Sequence, residues 1–198
     1  MALLKLWTGC MSSGKTTSLL QANHDYLEAG YNNLIIKPCT DTRDGKQKEW
    51  GKIKSRIIDD NVSCFYVNSI DYEFLSYIID KNSYNLLFVD EAQFFKKSDI
   101  WELSKIVDEK HINAFCYGIK TDSNGHLFEG IEQLMAIADD IYELDHICGC
   151  GERKATMHVR YVNGEVDIGG NAIAIDGVDN VEYKSVCRKC WKKLVGYK

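Results

Sequence analysis

Short apolar runs alternate with longer amphipathic stretches through the first 120 or so residues. Leu3–Trp7 is an apolar run that stops at a glycine-containing turn, which predicts a buried strand. Apolar residues at helical spacing over Thr16–Ala29 predict a helix, with Gly30 as its stop. Asn33–Lys37 predicts the next strand, closed by Pro38, the sole proline. Cys39–Ile53 is polar, with Asp41, Arg43, Asp44, Gly45 and several lysines, and reads as a surface loop. Beyond it the pattern predicts strands at Cys64–Val67, Asn85–Val89 and Asn113–Tyr117, and helices at Ile70–Asp80 and Ser98–Glu109.

Strands that alternate with helices imply an α/β fold with a doubly wound, mainly parallel sheet. Such sheets bind ligands outside the carboxyl ends of their strands. After Asp145 the texture changes to cysteine pairs, short strands and glycine-rich turns. Two units follow: residues 1–145, and a small second domain over 146–198. There is no internal repeat and no low-complexity segment.

Composition narrows the function classes. The formal charge of -5 argues against a nucleic-acid polymer as the main ligand, because such a ligand needs a basic footprint. No stretch approaches the ~20 apolar residues of a bilayer span, and Met1–Thr8 is too short for a signal peptide. The expectation is a cytoplasmic protein without a membrane partner.

Gly9-Cys10-Met11-Ser12-Ser13-Gly14-Lys15-Thr16 fits the phosphate-binding pattern G-x-x-x-x-G-K-[ST] at every fixed position, with a predicted strand before it and a helix after it. The glycines let successive N–H groups face phosphates at the positive end of the helix. Lys15 would reach the β- and γ-phosphates of ATP, and the Thr16 hydroxyl would bind Mg²⁺. A second motif, Asp90-Glu91-Ala92-Gln93, follows the apolar run Leu86–Val89. Asp90 fits the second Mg²⁺ ligand, through water. Glu91 is a general base for a substrate hydroxyl, a water positioner in an ATPase or a solvated loop residue. Helicases carry a similar box but need two such domains and a basic channel, which a chain of 198 residues and negative charge does not provide.

Eight cysteines without a secretory signal point to burial or metal binding, not disulfides. Cys10, Cys39, Cys64 and Cys116 are scattered and read as small buried hydrophobes. Cys148-x-Cys150 and Cys187-x-x-Cys190, with 36 residues between the pairs, read as two halves of a closed tetrahedral Zn²⁺ site. The first pair is tighter than usual, and Gly149 and Gly151 make its turn feasible.

These motifs, in this order, resemble the type II thymidine kinases. The likeness runs from the P-loop through Lys37-Pro38, Asp41-Thr42-Arg43, Ser55-Arg56, Asp90-Glu91-Ala92-Gln93-Phe94, Tyr117-Gly118 and Phe128-Glu129-Gly130 to Tyr183-x-Ser185-Val186-Cys187-Arg188-x-Cys190. The resemblance implies a P-loop core with a small zinc-ribbon-like domain carrying a lasso loop, here roughly residues 161–184. It implies ATP-dependent phosphorylation of the thymidine 5′-hydroxyl by a homotetramer, with Glu91 as base and Gln93 among the ATP-binding residues. Met11, Phe94, Ile119, Phe128 and Tyr183 fall on nucleoside-contacting positions, and Arg43 near the transferring phosphate. Either Ile168-Gly169-Gly170 or the stretch around Gly177 fills the family's lasso glycine. Ser123 stands where the resemblance expects a base-stacking phenylalanine, so it either faces a looser base pocket or is a solvated loop residue. Three rivals keep most of these motifs: a deoxynucleoside kinase of relaxed base preference, a P-loop ATPase, and a zinc-ribbon nucleic-acid binder.

Overall fold

A computed structural model describes residues 1–39, 50–53, 62–168 and 180–197. The larger sheet has seven strands in the order β3-β4-β2-β5-β6-β1-β7, where β1 is Leu4–Gly9, β2 Asn33–Pro38, β3 Trp50–Ile53, β4 Val62–Val67, β5 Leu86–Val89, β6 Asn113–Ile119 and β7 Asp140–Glu143. All neighbours run parallel except β3, which is antiparallel to β4. Four helices connect the strands: α1 (Lys15–Glu28), α2 (Tyr72–Asn82), α3 (Lys97–Lys110) and α4 (Glu129–Ile137). The α/β class and the doubly wound, mainly parallel sheet are as expected.

The two-residue period of the strands sorts their side chains onto two cores. Leu34, Ile36, Leu87, Val89, Ala114 and Cys116 point into one, beneath Leu75, Ile79, Ile100, Leu103, Ile131 and Leu134 of α2, α3 and α4. Ile35, Leu86, Phe88, Phe115 and Tyr117 point into the other, which Leu19 and Leu20 of α1 cover. All four residues of β5 are fully buried, as expected of a strand with helices on both faces. On the α1 side, Trp7 stacks between Tyr117 and Tyr142, with ring centroids 5.1 Å and 4.9 Å away, which extends the cover toward β7. Helix α1 ends where Gly30 enters a positive φ of 88°, and Tyr31 N–H closes back onto Tyr26 O at 2.9 Å.

Three elements differ from the expectation. Trp50–Ile53, assigned to a surface loop, form the edge strand β3: Ile53 is fully buried, and Trp50 packs on Phe65 with centroids 5.0 Å apart. An edge strand needs only one apolar face, and lysine and glycine occupy the rest. Helix α4, which adds Ile131 and Leu134 to the core, and edge strand β7 occupy a stretch to which the pattern assigned no element.

The C-terminal part is a separate three-stranded antiparallel sheet, β9 (Glu165–Val166), β8 (Met157–Val162) and β10 (Val181–Val186), followed by α5 (Arg188–Val195). Its core gathers Cys148, Ala155, Val159, Val186, Cys187 and Trp191, and it includes Cys10 of the phosphate-binding turn. Cys64 and Cys116 are fully buried and Cys39 half-buried, as small hydrophobes would be. Burial pushes the Cys116 thiol well above its usual range.

Candidate active site and metal centre

The site is built on adjacent carboxyl ends of β1, β6, β5 and β2. At the end of β1, a methyl group on Gly9 would lie 2.5 Å from Ser13 Oγ and 2.9 Å from Leu144 O, so only glycine lets the turn close on itself. Gly14 precedes α1 with φ 81° in the left-handed region, which glycine enters at no steric cost. Ser12 is left-handed too. Among the described residues no side chain caps α1, and its positive end faces the turn. Lys15 arches over the turn, its ammonium donating to Cys10 O at 2.7 Å. Thr16 is the second residue of α1.

Past β5, Asp90 is 2% exposed, and its N–H donates to Ile36 O at 3.0 Å, which ties the turn to β2. Lys37, at the end of β2, is equally buried, with its ammonium 3.8 Å from Asp90 Oδ2. Glu91 adopts φ 54° and ψ 41°, a conformation uncommon for any residue but glycine. Such backbone strain persists where neighbours fix it, and it clusters at active sites. Gln93 supplies the fixing here. Its amide donates to Glu91 Oε2 at 2.5 Å and its carbonyl accepts from Ile119 N–H at 3.1 Å. Gln93 therefore enters the site as a brace between Glu91 and β6. Ile119 in turn pairs with Gly9 of the turn. Phe94, in a single 3₁₀ turn, meets Phe128 edge to face with centroids 6.3 Å apart.

Met11 meets the C-terminal unit. Its N–H donates to His158 Nε2 at 2.8 Å, and its carbonyl accepts from Ser185 Oγ at 2.8 Å. His158 Nδ1 lies 3.1 Å from Thr121 O. An amide N–H can only donate and a carbonyl can only accept. The ring is therefore neutral, with its proton on Nδ1. Burial, aided by the Lys15 charge, lowers the pKa of His158 to about 4. His158 and Ser185 are direct cross-strand partners on β8 and β10, and the next pair along that face is Arg160 with Tyr183. Ser123 is 7% exposed, and its carbonyl accepts from Trp191 Nε1 at 3.0 Å, so it is not a solvated loop residue. Arg43, Ser55, Arg56, Gly169, Gly170 and Gly177 lie outside the described residues.

The structure adds Lys37, His158, Ser185 and Trp191 to the residues picked from the sequence. Lys37 and Ser185 stand inside motifs that signal the site. His158 is a lone histidine in a strand and carries no spacing signal.

The four late cysteines come together: all four sulfurs lie within 4.8 Å of one another, with Cys150 and Cys187 Sγ 4.0 Å apart. Zn–S bonds of ~2.3 Å in a tetrahedron put sulfurs ~3.8 Å apart, so the cluster fits a metal ion. Gly151, at φ 73°, turns the chain after the first pair, and its N–H donates to Cys148 O at 2.8 Å. Cys187 is the residue at the N-cap position of α5. Hydrogen bonding from the Cys150 backbone, against the effect of burial, lowers the Cys148 thiol, while the bond to Cys187 raises the Cys190 thiol, so the four thiols share their protons as one cluster.

A parallel α/β core with a phosphate-binding turn, an acidic pair two strands away and a four-cysteine cluster of metal-site dimensions define a P-loop nucleotide-binding protein with a small C-terminal unit. Comparison with known proteins narrows the class. The thymidine kinase family model matches residues 2–191. The chain is 40% identical over 197 residues to the thymidine kinase of Shewanella oneidensis, covering 98% of this chain and 99% of that protein. It is 38% identical over 199 residues to that of Enterobacteria phage T4, covering 98% and 97%. It is 40% identical over 199 residues to that of Rhodopirellula baltica, covering 98% and 90%. The chain belongs to the thymidine kinase family.

Proposed function

We propose that this chain transfers the γ-phosphoryl group of ATP to the 5′-hydroxyl of thymidine, giving dTMP and ADP. What carries the reading is the braced Glu91 carboxylate two strands from the phosphate-binding turn, in a member of the thymidine kinase family. Strands lie ~4.8 Å apart, so about 10 Å separates the two ends, room for the phosphates between them. In phosphoryl transfer the protein does little covalent chemistry, and positioning and charge neutralisation dominate. The turn Gly9–Thr16 binds the phosphates, and Lys15 offsets their charge. The Thr16 hydroxyl and the Asp90 carboxylate are oxygen donors of the kind Mg²⁺ accepts, Asp90 through water. When bound, Mg²⁺ neutralises charge across the β- and γ-phosphates. Glu91 takes the 5′-hydroxyl proton as the oxygen bonds to the γ-phosphorus and the bond to ADP breaks. Gln93 holds that carboxylate in place. Met11, Phe94, Ile119, Phe128 and Tyr183 contact the nucleoside, with the Phe94–Phe128 pair as an aromatic wall for the base.

Cys148, Cys150, Cys187 and Cys190 hold a structural Zn²⁺, closed to catalysis. The same reading divides the chain into a kinase domain, 1–145, and a zinc-binding lasso domain, 146–198, in a cytoplasmic homotetramer. No helix among the described residues is long and apolar enough to cross a membrane. The acidic balance disfavours polymeric nucleic acid as a partner. A second reading, relaxed base preference, rests on Ser123: it is buried beside Trp191 where the resemblance expects a phenylalanine.

Radiolabelled ATP with a panel of nucleosides tests both. Label should pass to thymidine, and the spread of accepted bases measures the second reading. ATP turnover that ignores added nucleoside would sink the kinase assignment.

A further inference from the structure

Both backbone polar groups of Met11, in the phosphate-binding turn, are held by the C-terminal unit. Met11 donates its N–H to His158 and gives its carbonyl to Ser185, both at 2.8 Å, and His158 uses its other nitrogen on Thr121 O. His158 itself is buried, 2% exposed. Trp191 locks the arrangement from behind, its indole N–H shared between His158 O and Ser123 O, 3.0 Å each. The N–H of Met11 is thus committed to an imidazole and is not offered to a phosphate. Its position depends on where β8 and β10 sit. The next cross-strand pair on the same face holds Tyr183, ~7 Å along the strand.

We propose that His158, with Ser185, is a positioning residue that couples nucleoside binding to the shape of the phosphate-binding turn. This rests on the thymidine kinase reading, through the contact assigned to Tyr183. A nucleoside that fixes β8 and β10 also fixes Met11, so the turn meets the triphosphate already ordered. The effect is reciprocal, because a ligand that raises the affinity for a second must gain equally from it. His158 touches neither ligand and acts only through the Met11 peptide.

The test is titration calorimetry on the full, metal-loaded chain, with thymidine and a non-hydrolysable ATP analogue plus Mg²⁺, each alone and each in the presence of the other. In the unaltered chain each ligand should tighten the other by roughly 5–150-fold, the usual range of coupling between sites. His158→Val should bring that factor to within about threefold of one in a chain that still binds each ligand. His158→Gln should restore much of the coupling, because its amide can accept from Met11 N–H. Ser185→Ala removes one of the two bonds and should give an intermediate factor, which keeps the test open should His158→Val fail to fold. Full coupling in folded His158→Val, or in Ser185→Ala when that is the variant that folds, overturns the proposal. So does absence of coupling in the unaltered chain. A chain that binds the ATP analogue but not thymidine overturns the substrate reading itself, and the two failures are thereby distinct.

Discussion

Glu91 holds a left-handed backbone at a cost on the order of 1 kcal/mol, and both the following 3₁₀ turn and the Gln93 brace depend on it. Lys15, by contrast, sits on the first turn of a regular helix and brings its ammonium over the phosphate-binding turn. The two should therefore fail differently when replaced. Lys15→Ala removes charge compensation at the phosphates and should weaken ATP binding and turnover together. Glu91→Gln keeps the shape and the brace, so both substrates should bind almost normally. Its kcat should fall by roughly 10²–10⁴-fold, the usual contribution of a general base. Steady-state kinetics with separate kcat and KM resolve the two patterns. A Glu91→Gln enzyme with near-normal kcat would remove Glu91 from the reaction.

At the scale of elements, the second sheet and α5 have only a small apolar core, Cys148, Ala155, Val159, Val186, Cys187 and Trp191, with Cys10 borrowed from the phosphate-binding turn. A metal on the four cysteines supplies what that core lacks: structural zinc contributes on the order of 10 kcal/mol to folding its own unit. One Zn²⁺ per chain should co-purify, and a chelator should melt β8, β10 and α5 before the larger sheet, read by hydrogen exchange. Cys187→Ser should lose thymidine binding more than ATP binding, and equal loss of both would mean general unfolding. The cysteine pairs were legible from spacing, as were the phosphate-binding turn and the apolar run that delivers Asp90 and Glu91. Each of these signals is local, carried by residues close together in the chain. What stayed hidden was non-local or one-sided. Among the described residues strand β7 pairs only with β1, and it leaves most of its own residues exposed, so no apolar run marks it. Strand β3 shows its role only through Ile53 and Trp50 against β4, and α4 carries Gly130 in its first turn, a poor helix former. The site shows the same division: Glu91 is readable from its box, while its brace to Ile119 spans 26 residues and the His158 bond to Met11 spans 147.

The whole molecule is joined at His158, and this gives its stability a definite pH dependence. The imidazole is held neutral between Met11 N–H and Thr121 O. Its pKa is lowered from 6.5 to about 4, by burial first and then by Lys15, while the Thr121 carbonyl and Asp122 oppose the shift. Below pH 6.5 the unfolded chain binds a proton at this residue that the folded chain refuses. Stability therefore falls as the pH drops through 6.5 toward 4, and levels off below that for this group. A shift of this size corresponds to about 3 kcal/mol over the full window. Carboxylates add their own acid sensitivity below about pH 4.5, so the measurement should isolate the histidine. Urea unfolding of the unaltered chain and of His158→Gln, from pH 7 to 4.5, provides that comparison. The unaltered chain should lose about 2–3 kcal/mol more than the variant across this range, with the divergence beginning near pH 6.5. Parallel curves for the two proteins would mean that His158 titrates normally in the folded state, and that the link between the phosphate-binding turn and the C-terminal unit is open to water.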